Sequence, residues 1–169
     1  VANEEDLTAA IAAGGEINLL NDITLTKVTN ISKDVILNLN GKTLKGGKLS
    51  GEASTGAEFS ALTIIDGANL TIYGDGTIVG GEYGVYAKNG NLTIKGGKFE
   101  AVSSAVQVWV GEVTIEGGNF SNTDADKRYV INCIDANYKD GTAKVAIKGG
   151  TFAAFNPANH AAEGAGTNF

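Results

Sequence analysis

Apolar and polar residues alternate in short segments that recur along the chain. The four clearest copies are ANLTIYGDGTIVG (68–80), GNLTIKGGKFEA (90–101), GEVTIEGGNFSN (111–122) and AKVAIKGGTFAA (143–154), with VILNLNGKTLKG (35–46) as a weaker copy. In the second copy Thr93 separates Leu92 from Ile94, which is the alternation of a strand with one buried face. We therefore predict that Leu92 and Ile94 point inward, as do their equivalents in the other copies.

The spacing of the copies predicts a stack of coils. Ile72, Ile94 and Ile115 hold the same position in successive copies, 22 and 21 residues apart. A period of this length, with two or three short strands per repeat, fits one coil of a parallel β-helix. We predict an all-β, single-stranded solenoid that forms one domain over residues 1–169. Ile147 follows Ile115 by 32 residues, so insertions must precede the last copy.

An aromatic residue follows the isoleucine in each of the last three copies. Phe99, Phe120 and Phe152 each lie five residues after that isoleucine, with a Gly-Gly pair between them. Glycine adopts a sharp bend at low cost, so these pairs predict a corner between two strands. Stacked coils would place the three rings one above another in the core, about 4.8 Å apart.

A second alternating segment follows the copies and predicts a further strand. Its inward positions are small or branched apolar residues: Val85, Ala87, Val106, Val108, Ile131 and Cys133. Its outward positions form two columns: Tyr86, Gln107, Asn132 and Lys88, Trp109, Ile134. Trp109, the only tryptophan of the chain, is thus predicted on the solvent side of its strand.

This outward face is the candidate ligand or interface site. Its five residues are Tyr86, Gln107, Trp109, Asn132 and Ile134. Contact with further copies of the chain, as in a homotrimer, is the first interpretation. The second is a surface tryptophan covered by an adjacent loop. The third is a sugar site, in which the aromatic ring stacks on a sugar and the amides bond its hydroxyls.

Insertions are predicted to leave the coils at one corner. Residues 45–61 and residues 121–128 follow equivalent strands, about two coils apart. A further insertion, residues 135–143, precedes the last copy. Loops on one corner of a solenoid either carry function or are tolerated surface insertions, and we favour the second interpretation.

The two ends of the chain have different patterns. Acidic residues open the first segment, Leu7 and Ile11 share one helical face, and Gly14 is a suitable stop. The resulting assignment is a capping helix over residues 4–14, coils over residues 16–154 and an irregular tail over residues 155–169. The tail has no strand pattern, so we expect further chain or neighbouring subunits to cover that end of the stack.

Charge and composition narrow the range of partners. The formal net charge is −6 and Arg128 is the only arginine, so a basic groove that follows phosphates, and hence a nucleic acid partner, is not expected. No apolar run approaches the roughly 18 residues of a membrane helix. Cys133 is the only cysteine, so no intrachain disulfide is possible, and it is interpreted as a small buried apolar residue.

Catalytic groups do not cluster in the sequence. A lyase that acts on acidic sugars needs a base, and cations to neutralise the sugar carboxylate. Arg128 lies beside Asp124 and Asp126 in a predicted loop, and His160 lies in the unpatterned tail. We therefore interpret Arg128 as part of a solvated charge group and His160 as an exposed residue without a role.

The acidic residues favour structural roles as well. A glycosidase needs two carboxylates that flank one bond. Glu116, in contrast, lies between Lys95 and Lys148 in its column, which predicts a stabilising Lys–Glu–Lys ladder. The acids of the insertions, which are interpreted as solvated rather than as calcium ligands, are Asp124, Asp126, Asp135 and Asp140. The sequence therefore predicts no catalytic residue, no metal site and no cofactor.

Two segments carry a resemblance to a known family. AIAAGGEINLLNDITL (10–25) with VILNLNGKTLKG (35–46) resembles the opening of pectate-lyase-like right-handed β-helix proteins. The ending GGTFAAFNPANHAAEGAGTNF (149–169) is similar to the tails of β-helix proteins from gut bacteria and their phages. The resemblance implies a right-handed β-helix. It is specific for the fold and weak for activity, because this fold carries lyases, hydrolases, adhesins and virion fibres alike.

The sequence favours a non-enzymatic structural or attachment role. We expect a phage virion surface protein, such as a fibre, spike or capsid decoration, that associates with itself or with other virion or surface proteins. Contact with a cell-surface glycan is a further expectation. One alternative is a bacterial cell-surface adhesin. Another, from a different class, is a polysaccharide lyase or glycoside hydrolase. The expected location is the virion surface, the extracellular space or the cell surface.

Overall fold

The structure, a computed structural model, describes residues 1–48, 59–124, 126 and 129–158. This part of the chain is mostly β and contains three parallel sheets and two short helices. Three parts of the chain lie outside the described residues. They are the central part of the 45–61 insertion, three residues of the 121–128 insertion that include Arg128, and the tail from residue 159 onward, which includes His160.

Each sheet takes every third strand of the chain. Sheet A consists of β1 (Gly15–Asn18), β4 (Val35–Asn38), β7 (Ala68–Tyr73), β10 (Gly90–Ile94), β13 (Gly111–Ile115) and β16 (Ala143–Ile147). Sheet B consists of β2 (Ile23–Thr24), β5 (Lys42–Lys45), β8 (Gly76–Val79), β11 (Lys98–Ala101), β14 (Asn119–Asn122) and β17 (Thr151–Phe152). Sheet C consists of β3 (Asn30–Ile31), β6 (Ser60–Ile64), β9 (Tyr83–Ala87), β12 (Ser104–Val108) and β15 (Ile131–Cys133). The chain thus visits A, B and C in turn and then returns to A.

The register of sheet A confirms the alignment of the sequence copies. Ile94 of β10 is paired with Ile72 of β7 on one side and with Ile115 of β13 on the other. Ile147 of β16 continues the same column, despite the insertions that precede it. The three isoleucines before it are fully buried, because parallel pairing places each one directly over its equivalent. The inward column of sheet C is buried in the same way, from Val85 through Val106 to Ile131.

The predicted pile of aromatic rings is confirmed. The Phe99 and Phe120 ring centroids are 5.0 Å apart, and so are those of Phe120 and Phe152, with interplanar angles of 12° and 10°. The Gly-Gly pairs place these rings at the corner: Gly97 has a φ of 97°, and a Cβ there would lie 2.7 Å from a methyl group of Leu39. Only glycine fits this close approach without strain.

The insertions differ partly from the expectation. β5 and β14 each lead from sheet B to sheet C, so the insertions that follow them do leave at one corner. They are three positions apart in sheet B, with β8 and β11 between them, rather than two. The third insertion is not an open loop: it contains α2 (Asp135–Asp140), which has an aspartate in its first turn, Lys139 in its last and Gly141 in a left-handed C-cap.

The expected Lys–Glu–Lys ladder is wrong. Among the described residues, Glu116 forms no ion pair with Lys95 or Lys148. Lys144 instead pairs with its register neighbour Glu112, at 2.9 Å between Nζ and Oε1. All these side chains are exposed, and exposed ion pairs contribute little, so alignment in a column is not sufficient to bring two charges together.

A helix covers the first coil. The helix predicted over residues 4–14 is α1 (Glu4–Ala13), whose Leu7 and Ile11 are buried against the core. The Glu4 carboxylate accepts hydrogen bonds from the Thr26 backbone N–H (2.6 Å), the Thr26 hydroxyl (2.7 Å) and the Lys27 N–H (3.1 Å). These bonds tie the start of α1 to the segment between β2 and β3. At the other end, the described tail residues 155–158 contain no helix or strand.

Replacement of Phe120 by alanine should destabilise the whole stack. Phe120 is buried and packs against a ring on each side, so Phe120→Ala should lower the free energy of unfolding by about 3–5 kcal/mol. Phe152 is half-buried at the end of the pile, and Phe152→Ala should lower the free energy of unfolding by clearly less. Urea denaturation followed by circular dichroism measures both values, and equal losses would contradict a continuous pile.

Acid should loosen the α1 cap through Glu4. The hydrogen bonds from the Thr26 side chain and backbone lower the pKa of Glu4 below its ordinary value of 4.5. The stabilisation they provide is therefore complete above that value and is lost as the pH falls through the lowered pKa. Glu4→Gln should reduce the acid-dependent drop in urea midpoint between about pH 5 and pH 2. Glu5→Gln, at an exposed neighbouring position, is the control and should leave the drop unchanged.

Candidate functional site

Three of the five predicted site residues lie side by side on sheet C. Gln107 of β12 is in register with Tyr86 of β9 and with Asn132 of β15. The Asn132 Nδ2 donates to the Gln107 Oε1 at 2.8 Å. Their neighbours along the strands, such as Val106 and Val108, belong to the core, so this column projects from the opposite face of the sheet.

Trp109 and Ile134 are also brought together. Each directly follows its strand, and each is held by a backbone bond to the preceding coil: Trp109 N–H to the Ala87 carbonyl (2.8 Å) and Ile134 N–H to the Val108 carbonyl (3.1 Å). The Asn137 side chain of α2 donates to the Trp109 carbonyl at 2.6 Å. Trp109 is 49% exposed, which makes it the most accessible aromatic side chain of the five predicted residues.

Tyr86 and Gln107 are not accessible, contrary to the expectation of a single open face. Their exposed fractions are only 5% and 3%, and Asn132 is half-buried. The Tyr83 ring packs against Tyr86 with centroids 5.7 Å apart. Nearby, the start of the 45–61 insertion runs along the same corner, where the Glu82 N–H donates to the Lys48 carbonyl. Gln107 is therefore shielded from solvent, whereas Asn132 keeps part of its exposure.

The accessible part of the site continues along two residues that the sequence analysis did not include among its candidates. Ile65 directly follows β6 and Lys88 directly follows β9, at positions equivalent to Trp109 and Ile134. We call the four residues Ile65, Lys88, Trp109 and Ile134 the Trp109 strip. Lys88 is exposed, and Ile65 and Ile134 are half-buried. Alignment of SALTI (60–64) with YGVYA (83–87) would have revealed Ile65. The long insertion before residue 60 interrupts the regular spacing, so this copy of the strand is hard to recognise.

A buried polar cluster occupies the same sheet. Ser60 and Thr63 of β6 approach to 2.6 Å between their hydroxyl oxygens, and Ser104 and Glu82 are also buried. A nucleophilic serine needs an adjacent base. None of the described residues is a histidine, and no group of three or more potential metal ligands occurs among them. The 2.6 Å contact gives the Ser60 and Thr63 hydroxyls a hydrogen-bond partner in each other.

A second accessible surface lies on the outer face of sheet A. Glu16, Ile36, Thr71, Tyr73 and Lys95 line an open depression of about 630 Å³. The Tyr73 hydroxyl donates to Glu16 at 2.9 Å, and this bond raises the pKa of Tyr73. Ile36 is 46% exposed on its floor. Among the described residues that line the depression, Glu16 is the one carboxylate.

Comparison with known proteins identifies no relative. No family model, no curated protein and no solved structure matches the chain. In the part of the chain that the structure describes, neither helix is long and apolar enough to cross a membrane.

In the folded protein, Tyr86 should titrate at a much higher pH than a tyrosine of an unfolded chain does. Burial, together with the nearby Tyr83, raises the pKa of Tyr86 to about 12. A pH titration of tyrosinate absorbance should show a late component that Tyr86→Phe removes, with circular dichroism to confirm that the protein stays folded. In denaturant the same component should move to about pH 10. Early titration of Tyr86 in the folded protein would contradict its burial.

Proposed function

We propose that the chain is a right-handed parallel β-helix that acts as a non-enzymatic structural or attachment module and associates with itself through the Trp109 strip. The fold proposal rests on the cyclic order of strands through sheets A, B and C and on their regular parallel stacking. Connections between parallel strands are right-handed as a general rule, and this rule supports a right-handed β-helix.

The exposed strip supports a binding role over a catalytic one. Trp109 and the two isoleucines offer apolar area, and Lys88 adds one charge beside them. Such side chains bind a partner by being buried, and tryptophan is among the residues that contribute most at interfaces. The single observation that carries the proposal is the 49% exposure of Trp109 on an otherwise well-packed sheet.

The strip fits a second copy of the chain better than a small sugar. Of the two amides that would bond sugar hydroxyls, Gln107 is buried beside the strip and Asn132 is half-buried. Flat apolar contact across subunits does not need them. We propose that the assembly is a homotrimer. We propose a phage virion surface as its location, because the tail is similar to those of β-helix proteins from gut bacteria and their phages. A bacterial adhesin is the alternative setting for the same module.

Trp109→Ala should abolish self-association. Light scattering or sedimentation of the unaltered chain should give three times the chain mass, whereas Trp109→Ala should give the monomer. The fold should persist, because Asn137 bonds the Trp109 backbone carbonyl, which the substitution retains. Ile36→Ala removes an exposed apolar side chain from sheet A and is the matched control, which should remain trimeric.

Two results would overturn the proposal. An assembly that survives Trp109→Ala would show that the strip is not the interface. Products from a screen of acidic and neutral polysaccharides would show an enzyme and favour the lyase or hydrolase alternative.

A further inference from the structure

The depression on the outer face of sheet A contains an aromatic ring that is held in place. The Tyr73 hydroxyl donates to the Glu16 Oε1 at 2.9 Å, although β4 lies between the strands of these two residues. Ile36 of β4 is in register with Glu16 on one side and with Thr71 on the other. The Tyr73 side chain therefore extends across β4 instead of standing away from the sheet. It is half-buried, as expected for a ring with one face toward the sheet and one toward the depression.

The surroundings of the ring are fixed and leave it uncovered. Asn38 is the register neighbour of Tyr73 in β4, and its side chain bonds the Asn18 side chain (2.9 Å) and the Asn40 backbone N–H (3.0 Å). Gly74 follows Tyr73 with a φ of 83°, and a Cβ there would overlap the side-chain oxygen of Asn38. No side chain fits at this position beside the ring. An aromatic ring that is already positioned loses little conformational entropy when a ligand stacks on it.

Polar groups with unused bonding capacity surround the ring. Glu16 and Lys95 are exposed at opposite ends of the depression, and the Thr71 hydroxyl lies between them. Among the described residues, neither the Glu16 Oε2 nor the Lys95 Nζ has a hydrogen-bond or ion-pair partner. Ile36 adds an aliphatic side chain that is 46% exposed. The depression therefore combines apolar area with an acceptor, a hydroxyl and a donor around its edge.

The charges favour a neutral ligand. The carboxylate of Glu16 and the net charge of −6 oppose an acidic polymer, for which Lys95 supplies the one cation of the depression. An apolar protein surface would remove Glu16 and Lys95 from water without pairing them, which is unfavourable. A neutral sugar has an apolar C–H face for the ring and hydroxyls that both donate to Glu16 and accept from Lys95.

The dimensions fit more than one sugar ring. The lining residues come from four neighbouring strands, β1, β4, β7 and β10, so the depression is about 14 Å long. Its volume of about 630 Å³ lies in the range of small-ligand sites.

We propose that this depression binds a short segment of a neutral oligosaccharide. One sugar stacks on Tyr73, and its hydroxyls bond Glu16, Thr71 and Lys95. The inference names the ligand class of the proposed attachment role and rests on that role for its purpose. It does not depend on the Trp109 strip or on self-association.

Soluble labelled trisaccharides test the site. The probes are fluorophore-labelled cellotriose, maltotriose, laminaritriose and mannotriose, with trigalacturonate as the acidic counterpart, and anisotropy measures their binding to the full-length chain. At least one neutral probe should bind saturably, and trigalacturonate should bind more weakly. Tyr73→Ala should weaken binding about tenfold, because it removes the stacking surface. Tyr73→Phe and Glu16→Gln should cause smaller losses, because the ring remains but its charged hydrogen bond is weakened or lost.

Two matched variants locate the binding. Thr114→Ala alters the same outward column of sheet A beyond the depression and should bind as the unaltered chain does. Trp109→Ala should also bind normally, even though it is expected to separate the subunits. Loss of sugar binding in Trp109→Ala would place the sugar on the strip and overturn this proposal, whereas loss of self-association alone would leave it intact.

Three further results would overturn the proposal. They are the absence of saturable binding by any neutral probe, full affinity in a folded Tyr73→Ala chain, and tighter binding by a chain that ends at residue 158. The last result would show that the chain's own tail competes for this face. Circular dichroism checks the fold of each variant, and Glu16→Gln, which keeps the ring, decides the matter if Tyr73→Ala does not fold.

Discussion

Parallel hydrogen bonding holds the strand residues of the described coils directly above their equivalents one coil earlier. Ile72, Ile94 and Ile115 form one buried column for this reason, and the rings of Phe99 and Phe120 lie 5.0 Å apart. Because side chains alternate between faces, a slip by one residue would expose the whole column. No coil buries these side chains alone, so stability depends on neighbouring coils that keep the same register.

This dependence makes the two ends of the stack physically different from its middle. At the first end, α1 replaces the missing neighbour: Leu7 and Ile11 cover the core, and Glu4 fastens the helix to Thr26. At the other end, Val145 and Ile147 are less well covered, and lysines flank them. Exposed lysines on an edge strand are a general means of discouraging edge-to-edge pairing.

Side chains on the outer face of sheet C lie in two different environments, although their positions look alike in the sequence. Tyr86, Gln107 and Thr63 project away from the core and yet are buried, whereas Trp109 remains accessible one position beyond its strand. Burial of Tyr86 disfavours its phenolate, and burial of the hydroxyls of Ser60 and Thr63 is compensated by their contact with each other. The Trp109 strip thus lies beside polar side chains that are largely shielded from solvent.

Alternation and period are local properties, so the residue pattern alone was enough to predict the inward columns, the stacking of Phe99, Phe120 and Phe152, and the helix that caps the first coil. It also identified Trp109 as exposed. The burial of Tyr86 and Gln107 could not be predicted in this way, because alternation shows which face of a strand a residue occupies and not what covers that face. The backbone hydrogen bond from the Glu82 N–H to the Lys48 carbonyl and the choice of Glu112 over Glu116 as an ion-pair partner likewise depend on how separate segments lie against one another, which no repeat pattern encodes.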